Sequence, residues 1–198
     1  SLESKGLVGR HRKPRPDPLG SDQPMAGALE LELPRLLTAE QQSVLSRFQS
    51  LPEGGELLLW GITGSGKTEV YLQLAAAELE VGRHVLLLTP EIGLIPQLVD
   101  RCRQRFGARV LEYHSGCTDR ERVRAWRRCL EGDAPVVVVG TRSAVFLPLR
   151  PLGLVVLDEE HDNSYKQDSP MPCYHAREMA SERVRLQGGR LLLGSATP

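Results

Sequence analysis

From residue 56 onward the chain is punctuated by short, mostly apolar stretches, at residues 56–60, 84–89, 109–113, 135–139, 154–157 and 190–193, each followed by small or polar residues. Runs this short and without polar alternation predict strands buried on both faces; Leu57, Leu58 and Leu59 make the first of them. Between the runs the pattern changes to a helical one. Thr38 with Gln41 three residues on is a capping box that starts a helix carrying Val44, Leu45 and Phe48. Residues 67–79 are rich in Ala, Leu and Glu, all good helix formers. A third helix follows Pro90-Glu91-Ile92-Gly93 and runs to about Phe106, and Thr118 with Glu121 caps a fourth, on which Val123, Trp126 and Leu130 share one face and assign Trp126 to the core. Strands alternating with helices predict an α/β fold, a parallel sheet with helices on both faces, in which ligands collect beyond the carboxyl ends of the strands. All the unusual polar clusters lie at that edge.

Upstream of residue 36 the pattern dissolves. Residues 1–9 carry Leu2, Leu7 and Val8, too little apolar surface to fold alone, and read as the tail of a preceding domain. Residues 10–35 read as a linker, with Pro14, Pro16, Pro18, Pro24 and Pro34 breaking any period. Arg10, Arg12, Lys13 and Arg15 make its first part basic, a solvated tether rather than a phosphate-contacting arm. The globular part is expected to occupy residues 36–198. With Ser1 at one end and a strand-like run just before Pro198 at the other, the chain is expected to be part of something longer.

Composition narrows the choice of partners. Lys plus Arg equals Asp plus Glu at 25 each, so no global basic field marks a nucleic-acid binder and any such site is local. Cys102, Cys117, Cys129 and Cys173 form no C-x-x-C pair, which predicts free thiols rather than a zinc site or a disulfide framework. No apolar run is long enough to span a bilayer and no signal peptide opens the chain, so a soluble, cytoplasmic protein without a membrane partner is expected.

The chemistry concentrates at two strand ends. Gly61-Ile-Thr-Gly-Ser-Gly-Lys-Thr fulfils every position of the phosphate-loop pattern G-x-x-x-x-G-K-[ST], with a strand before it and a helix after it. Gly61, Thr63, Gly64, Ser65 and Gly66 would cradle phosphates with backbone N–H groups, helped by the helix N-terminus; Lys67 supplies a point charge to the β and γ phosphates, and Thr68 a hydroxyl ligand for Mg²⁺. Asp158 and Glu159, after the run 154–157, are the acidic partners of such a loop. Asp158 is assigned to Mg²⁺ through water and Glu159 to the water that attacks the γ phosphate. ATP and Mg²⁺ are the expected cofactors. Gln41 or Gln42, a short loop upstream, could read an adenine edge with its amide, though helix capping explains it too. His161 is either a cap or a relay between nucleotide and DNA, and its place beside Glu159 favours the relay.

Seven segments together bring a family with them. They are Gly61 to Tyr71, Thr89-Pro-Glu-Ile-Gly-Leu, His114-Ser-Gly, Gly140-Thr-Arg-Ser-Ala, Asp158-Glu-Glu-His-Asp-Asn-Ser-Tyr-Lys-Gln, Tyr174-His-Ala-Arg-Glu and Gly194-Ser-Ala-Thr-Pro. In this order they resemble the primosomal protein N-prime helicases, bacterial replication-restart enzymes of helicase superfamily 2. The resemblance covers about residues 36–198, the first RecA-like motor lobe, and residues 1–9 look like the tail of that family's winged-helix domain. It implies that Gln41 or Gln42 reads adenine and that Thr89, Pro90, Glu91, Gly93, Thr141 and Arg142 line the DNA path. It further implies that Gly194, Ser195, Ala196 and Thr197 couple hydrolysis to movement, with His161, Tyr165, Lys166 and Tyr174 sensing DNA. The family's aromatic-rich loop is expected to bear a Trp, yet Ser169-Pro-Met-Pro-Cys has none and Met171 offers no π face, so DNA sensing is either weaker or shared by Tyr165 and Tyr174.

What the resemblance implies as a whole is an ATP-dependent 3′ to 5′ DNA helicase of replication restart, bacterial, cytoplasmic and nucleoid-associated. Its partners would be single-stranded and forked DNA, single-stranded-DNA-binding protein and primosome-loading proteins. A second motor lobe and a zinc-binding insertion would lie outside these residues. The alternative from another class is a nucleotide-gated fork-binding scaffold that recruits loaders without unwinding.

Overall fold

The computed structural model describes residues 31–196; the expectations for residues 1–30 and for Thr197 lie outside them. Among the described residues eight strands and five α-helices follow in the order α1 (Ala39–Gln49), β1 (Glu56–Trp60), α2 (Lys67–Glu80), β2 (His84–Leu88), α3 (Ile95–Phe106), β3 (Val110–Tyr113), α4 (Asp119–Glu131), β4 (Val137–Gly140), β5 (Leu152–Leu157), β6 (Lys166–Gln167), β7 (Tyr174–His175), α5 (Ala176–Gln187) and β8 (Arg190–Ser195). Six strands form one parallel sheet in the order β1-β8-β5-β2-β4-β3, and β6 pairs antiparallel with β7 in a separate ribbon.

Strand pleating divides the apolar runs between two cores. Val85 and Leu87 of β2, Val137 and Val139 of β4, and Leu154 and Val156 of β5 pack with α1, α2 and α3. Their neighbours Leu86, Leu88, Val138, Val155 and Leu157 pack on the other face with α5 and Cys129 of α4. The three central runs are therefore apolar throughout because both faces are covered.

Three expectations need correction. The first strand is not fully buried: β1 lies at the sheet edge, so Leu57 and Leu59 join a core while Leu58 remains 57% exposed. Trp126 is not in the core either, being 40% exposed with Val123 and Leu130 beside it. Helix α4 buries Ala125 and Cys129 instead, roughly a third of a turn away, because it rests on the short edge strand β3, where small side chains allow a close approach. The globular part also begins before residue 36. The Glu32 N–H donates to the carbonyl of Gln104 at 2.7 Å and the Arg35 N–H to Glu69 at 3.2 Å, which ties this stretch to α3 and α2.

Candidate functional site

The loop between β1 and α2 takes the conformation its glycines permit. Gly64 and Gly66 sit at φ 82° and 84°, where a Cβ is strongly disfavoured, and a Cβ on Gly66 would come 2.5 Å from Nε2 of Gln41. Gln41 donates from that nitrogen to the carbonyl of Ser65 at 3.0 Å, while its Oε1 accepts the Thr38 N–H at 3.0 Å and so completes the capping box of α1. Of the two glutamines named for base recognition, Gln41 touches the loop and Gln42 is exposed.

Lys67 reaches back across the loop. Its Nζ donates to the carbonyl of Gly61 at 2.6 Å and stands 3.4 Å from Oε1 of Glu159, so one ammonium bridges the phosphate loop and the acidic cluster. Glu159 holds φ 48°, a conformation costing of order 1–3 kcal/mol in a residue with a Cβ. Hydrogen bonds fix it there: its Oε2 accepts the N–H of Ala196 at 2.9 Å, and the next residue, Glu160, donates its N–H to the carbonyl of Gly194 at 2.8 Å.

Asp158 lies deeper. Burial pushes its carboxyl above the ordinary range, a hydrogen bond from Tyr71 draws it down, and the neighbouring charge of Glu159 raises it again. Tyr71, in the second turn of α2, donates its hydroxyl to Oδ1 of Asp158 at 2.9 Å. A buried carboxylate with an anionic neighbour suits a cation. Among the described residues no cluster of three or more His, Cys, Asp or Glu could cage a metal. Thr68 and Asp158 could serve Mg²⁺, an ion that keeps most of its waters and takes other ligands from substrate phosphates.

The remaining assignments divide. His161 Nδ1 and Ser195 Oγ stand 3.2 Å apart, which brings two segments of the sequence together at the ends of β5 and β8. Pro90, Thr141 and Arg142 line an open cleft of about 380 Å³ beyond β2, β3 and β4. Glu91 and Gly93 are exposed next to it. Thr89 does not line it; it is 1% exposed, so DNA cannot reach its side chain. Arg142 spends two donors internally, on the carbonyls of Ser164 and Lys166 at 3.0 Å each. Tyr165 is wholly buried, which rules out base stacking; its single hydroxyl proton is shared between the carbonyls of Asp158 at 2.6 Å and Leu88 at 3.0 Å. Tyr174 is half-buried and packs edge-on against Phe146. Lys166 pairs with Asp168 at 3.0 Å, and Met171 is exposed at the tip of the β6–β7 ribbon.

Three further residues line the cleft: His114 and Ser115, which belong to the segment His114-Ser-Gly but were given no role from the sequence, and Arg122, for which the sequence carried no signal. Tyr71 lies in the segment from Gly61 to Tyr71 but was given no role from the sequence.

A RecA-like phosphate-loop domain is the class that this sheet and loop define. The sequence profile of the DEAD/DEAH box helicases matches residues 38–198, and the chain belongs to that family. It is 48% identical over 200 residues to the replication restart protein PriA of Synechocystis sp., a match that takes in 100% of this chain and 23% of that protein. The PriA proteins of Bacillus subtilis and Haemophilus influenzae are 43% and 40% identical over 83% and 100% of this chain, matching 21% and 27% of their own lengths. The resemblance to the replication-restart helicases is thus borne out, and the chain spans about a quarter of the length of these relatives. Among solved structures the fold is shared with RecG bound to a three-way DNA junction, at TM-score 0.63 and 24% identity over 84% of this chain and 22% of that one. The Hef helicase domain of Pyrococcus furiosus also shares it, at TM-score 0.60 and 21% identity over 82% of this chain and 33% of that one. No described helix is long and apolar enough to cross a membrane.

Proposed function

We propose that the chain is the ATP-binding lobe of a replication-restart DNA helicase, which hydrolyses Mg·ATP to translocate 3′ to 5′ and unwind DNA at stalled forks. The observation that carries this reading is the bridge from Lys67 through Glu159 to Ala196, which links the phosphate loop to the end of β8. Lys67 binds the β and γ phosphates. Thr68 and Asp158 would hold Mg²⁺, which would supply positive charge to the phosphates. Glu159 orients the attacking water and accepts its proton, and its hold on Ala196 lets the state of the γ phosphate reach residues 194–197. His161 and Ser195 extend that link. Gln41 or Gln42 reads adenine, and DNA runs along the cleft of Pro90, Thr141 and Arg142, with Tyr174 left to stack.

A fork-binding scaffold gated by nucleotide would share every binding residue but would not need Glu159 as a base. Two variants of the full-length protein decide between them. Lys67→Ala weakens ATP binding as well as turnover, because the charge acts on bound phosphates. Glu159→Gln keeps Mg·ATP bound but lowers DNA-stimulated phosphate release by about 10²- to 10⁴-fold, the usual share of a general base. Equal loss of nucleotide affinity in both would remove the distinction of roles, and unchanged fork processing in Glu159→Gln would favour the scaffold.

A further inference from the structure

We propose that Glu69 is a positioning residue that sets the base end of the nucleotide site, acting through the backbone of Arg35 on Gln41; this rests on the ATP-binding reading above. Glu69 follows Thr68 directly, yet its carboxylate turns away from the phosphate loop and is only 5% exposed. Three donors converge on Oε1: the Arg35 N–H at 3.2 Å, Gln73 Nε2 at 3.0 Å and Arg105 Nη2 at 2.9 Å. Arg101 Nη2 stands 3.8 Å from Oε2. Burial pushes the carboxyl of Glu69 up, but the bonds from Gln73, Arg105 and Arg35 and the charge of Arg105 outweigh it, so the group is held below the usual range.

The grip on Arg35 is two-handed. Gln73, one turn along α2 from Glu69, also donates to the Arg35 carbonyl at 2.8 Å, so both backbone groups of one residue are fixed by side chains of α2. Three residues further on is Thr38, the cap of α1, and then Gln41, whose amide rests on the carbonyl of Ser65. Glu69 therefore ties the register of the segment before α1 to the helix that carries Lys67 and Thr68. Its partner Arg105, 8% exposed, anchors the carboxylate from α3. Without that anchor the Gln41 amide would be held only by its own bonds to Ser65 and Thr38, and a base would be read more loosely even where its triphosphate is well held.

The test separates base from triphosphate. Binding of Mg·ATP, Mg·GTP and magnesium tripolyphosphate is measured by calorimetry on the wild-type chain, on Glu69→Gln and on Gln73→Met, with melting curves for each. The neutral amide of Glu69→Gln cannot serve the Arg35 N–H, the Gln73 amide and the guanidinium groups of Arg101 and Arg105 together. It is expected to weaken ATP binding about tenfold, the value of one or two hydrogen bonds, and to erase the preference for ATP over GTP while tripolyphosphate binds as before. Gln73→Met leaves the buried ion pair intact and is expected to shift the ATP to GTP ratio the same way by a smaller factor. Parallel loss of ATP and tripolyphosphate, or an unchanged ATP to GTP ratio in Gln73→Met, overturns the role of Glu69 alone. A wild-type chain that binds none of the three overturns the nucleotide reading with it.

Discussion

Two tyrosines approach Asp158 from opposite sides, Tyr71 holding its carboxylate and Tyr165 its carbonyl, and Gly194 lies against the first of them. Tyr71→Phe keeps the ring and removes the donor, leaving a buried carboxylate less satisfied; a loss of about 1–3 kcal/mol is expected, read as a lower urea midpoint. A Cβ on Gly194 would overlap the Tyr71 hydroxyl and stand 3.1 Å from Oδ1 of Asp158. Gly194→Ala should therefore cost about 1–3 kcal/mol by overpacking. Because phenylalanine lacks the oxygen that the new methyl meets, the double variant should recover part of the summed loss, and strict additivity would show that the two positions do not interact. Lys67, Asp158 and Glu159 were legible in the sequence because a phosphate loop and its acidic partner carry their own spacing. Tyr71 was not, since its partner lies 87 residues away and a tyrosine in an Ala- and Leu-rich helix reads as core.

At the scale of elements, His84 staples the start of β2 to its neighbour. Its Nδ1 accepts the Val136 N–H at 3.2 Å, which requires the neutral ring, and burial lowers its affinity for a proton. A histidine whose folded pKa is depressed contributes stability above its unfolded value of about 6.5 and loses it as pH falls from there through the folded value. The wild-type urea midpoint should accordingly fall between pH 7.5 and pH 5.5, and His84→Asn, which keeps an acceptor without titrating, should flatten that fall. An equal fall in both would assign the effect to other groups. Whereas β6, β7 and α5 carried no signal that was read, the six strands of the sheet and α1 to α4 were legible, because capping boxes and apolar runs are local signals. The face of α4 was not. Its Val123, Trp126 and Leu130 stripe has the right period for a buried face, yet the edge strand beneath it offers room only for Ala125 and Cys129.

For the whole molecule, phosphate-loop enzymes gain about 10³ to 10⁵ in rate from an arginine finger, and in the proposed motor that group comes from the lobe opposite this one. The chain of residues 1–198 alone is thus expected to bind Mg·ATP weakly, to hydrolyse it slower than the full-length protein by about that factor, and to gain nothing from single-stranded DNA. Phosphate release with and without DNA measures this; robust DNA-stimulated turnover that Glu159→Gln abolishes would show that one lobe suffices. By itself the sequence determined the α/β class, the phosphate loop with its acidic partner, and the edge of the sheet at which they meet, because each depends on residue spacing within one loop or one strand end. Only the tertiary structure decided the strand order that leaves β1 at the edge, the burial of Thr89 and Tyr165 away from any DNA, and the meeting of Glu69 with Arg35 and Arg105. Those outcomes depend on which faces of distant segments cover one another, and that is settled by packing the whole sheet at once rather than by any local period.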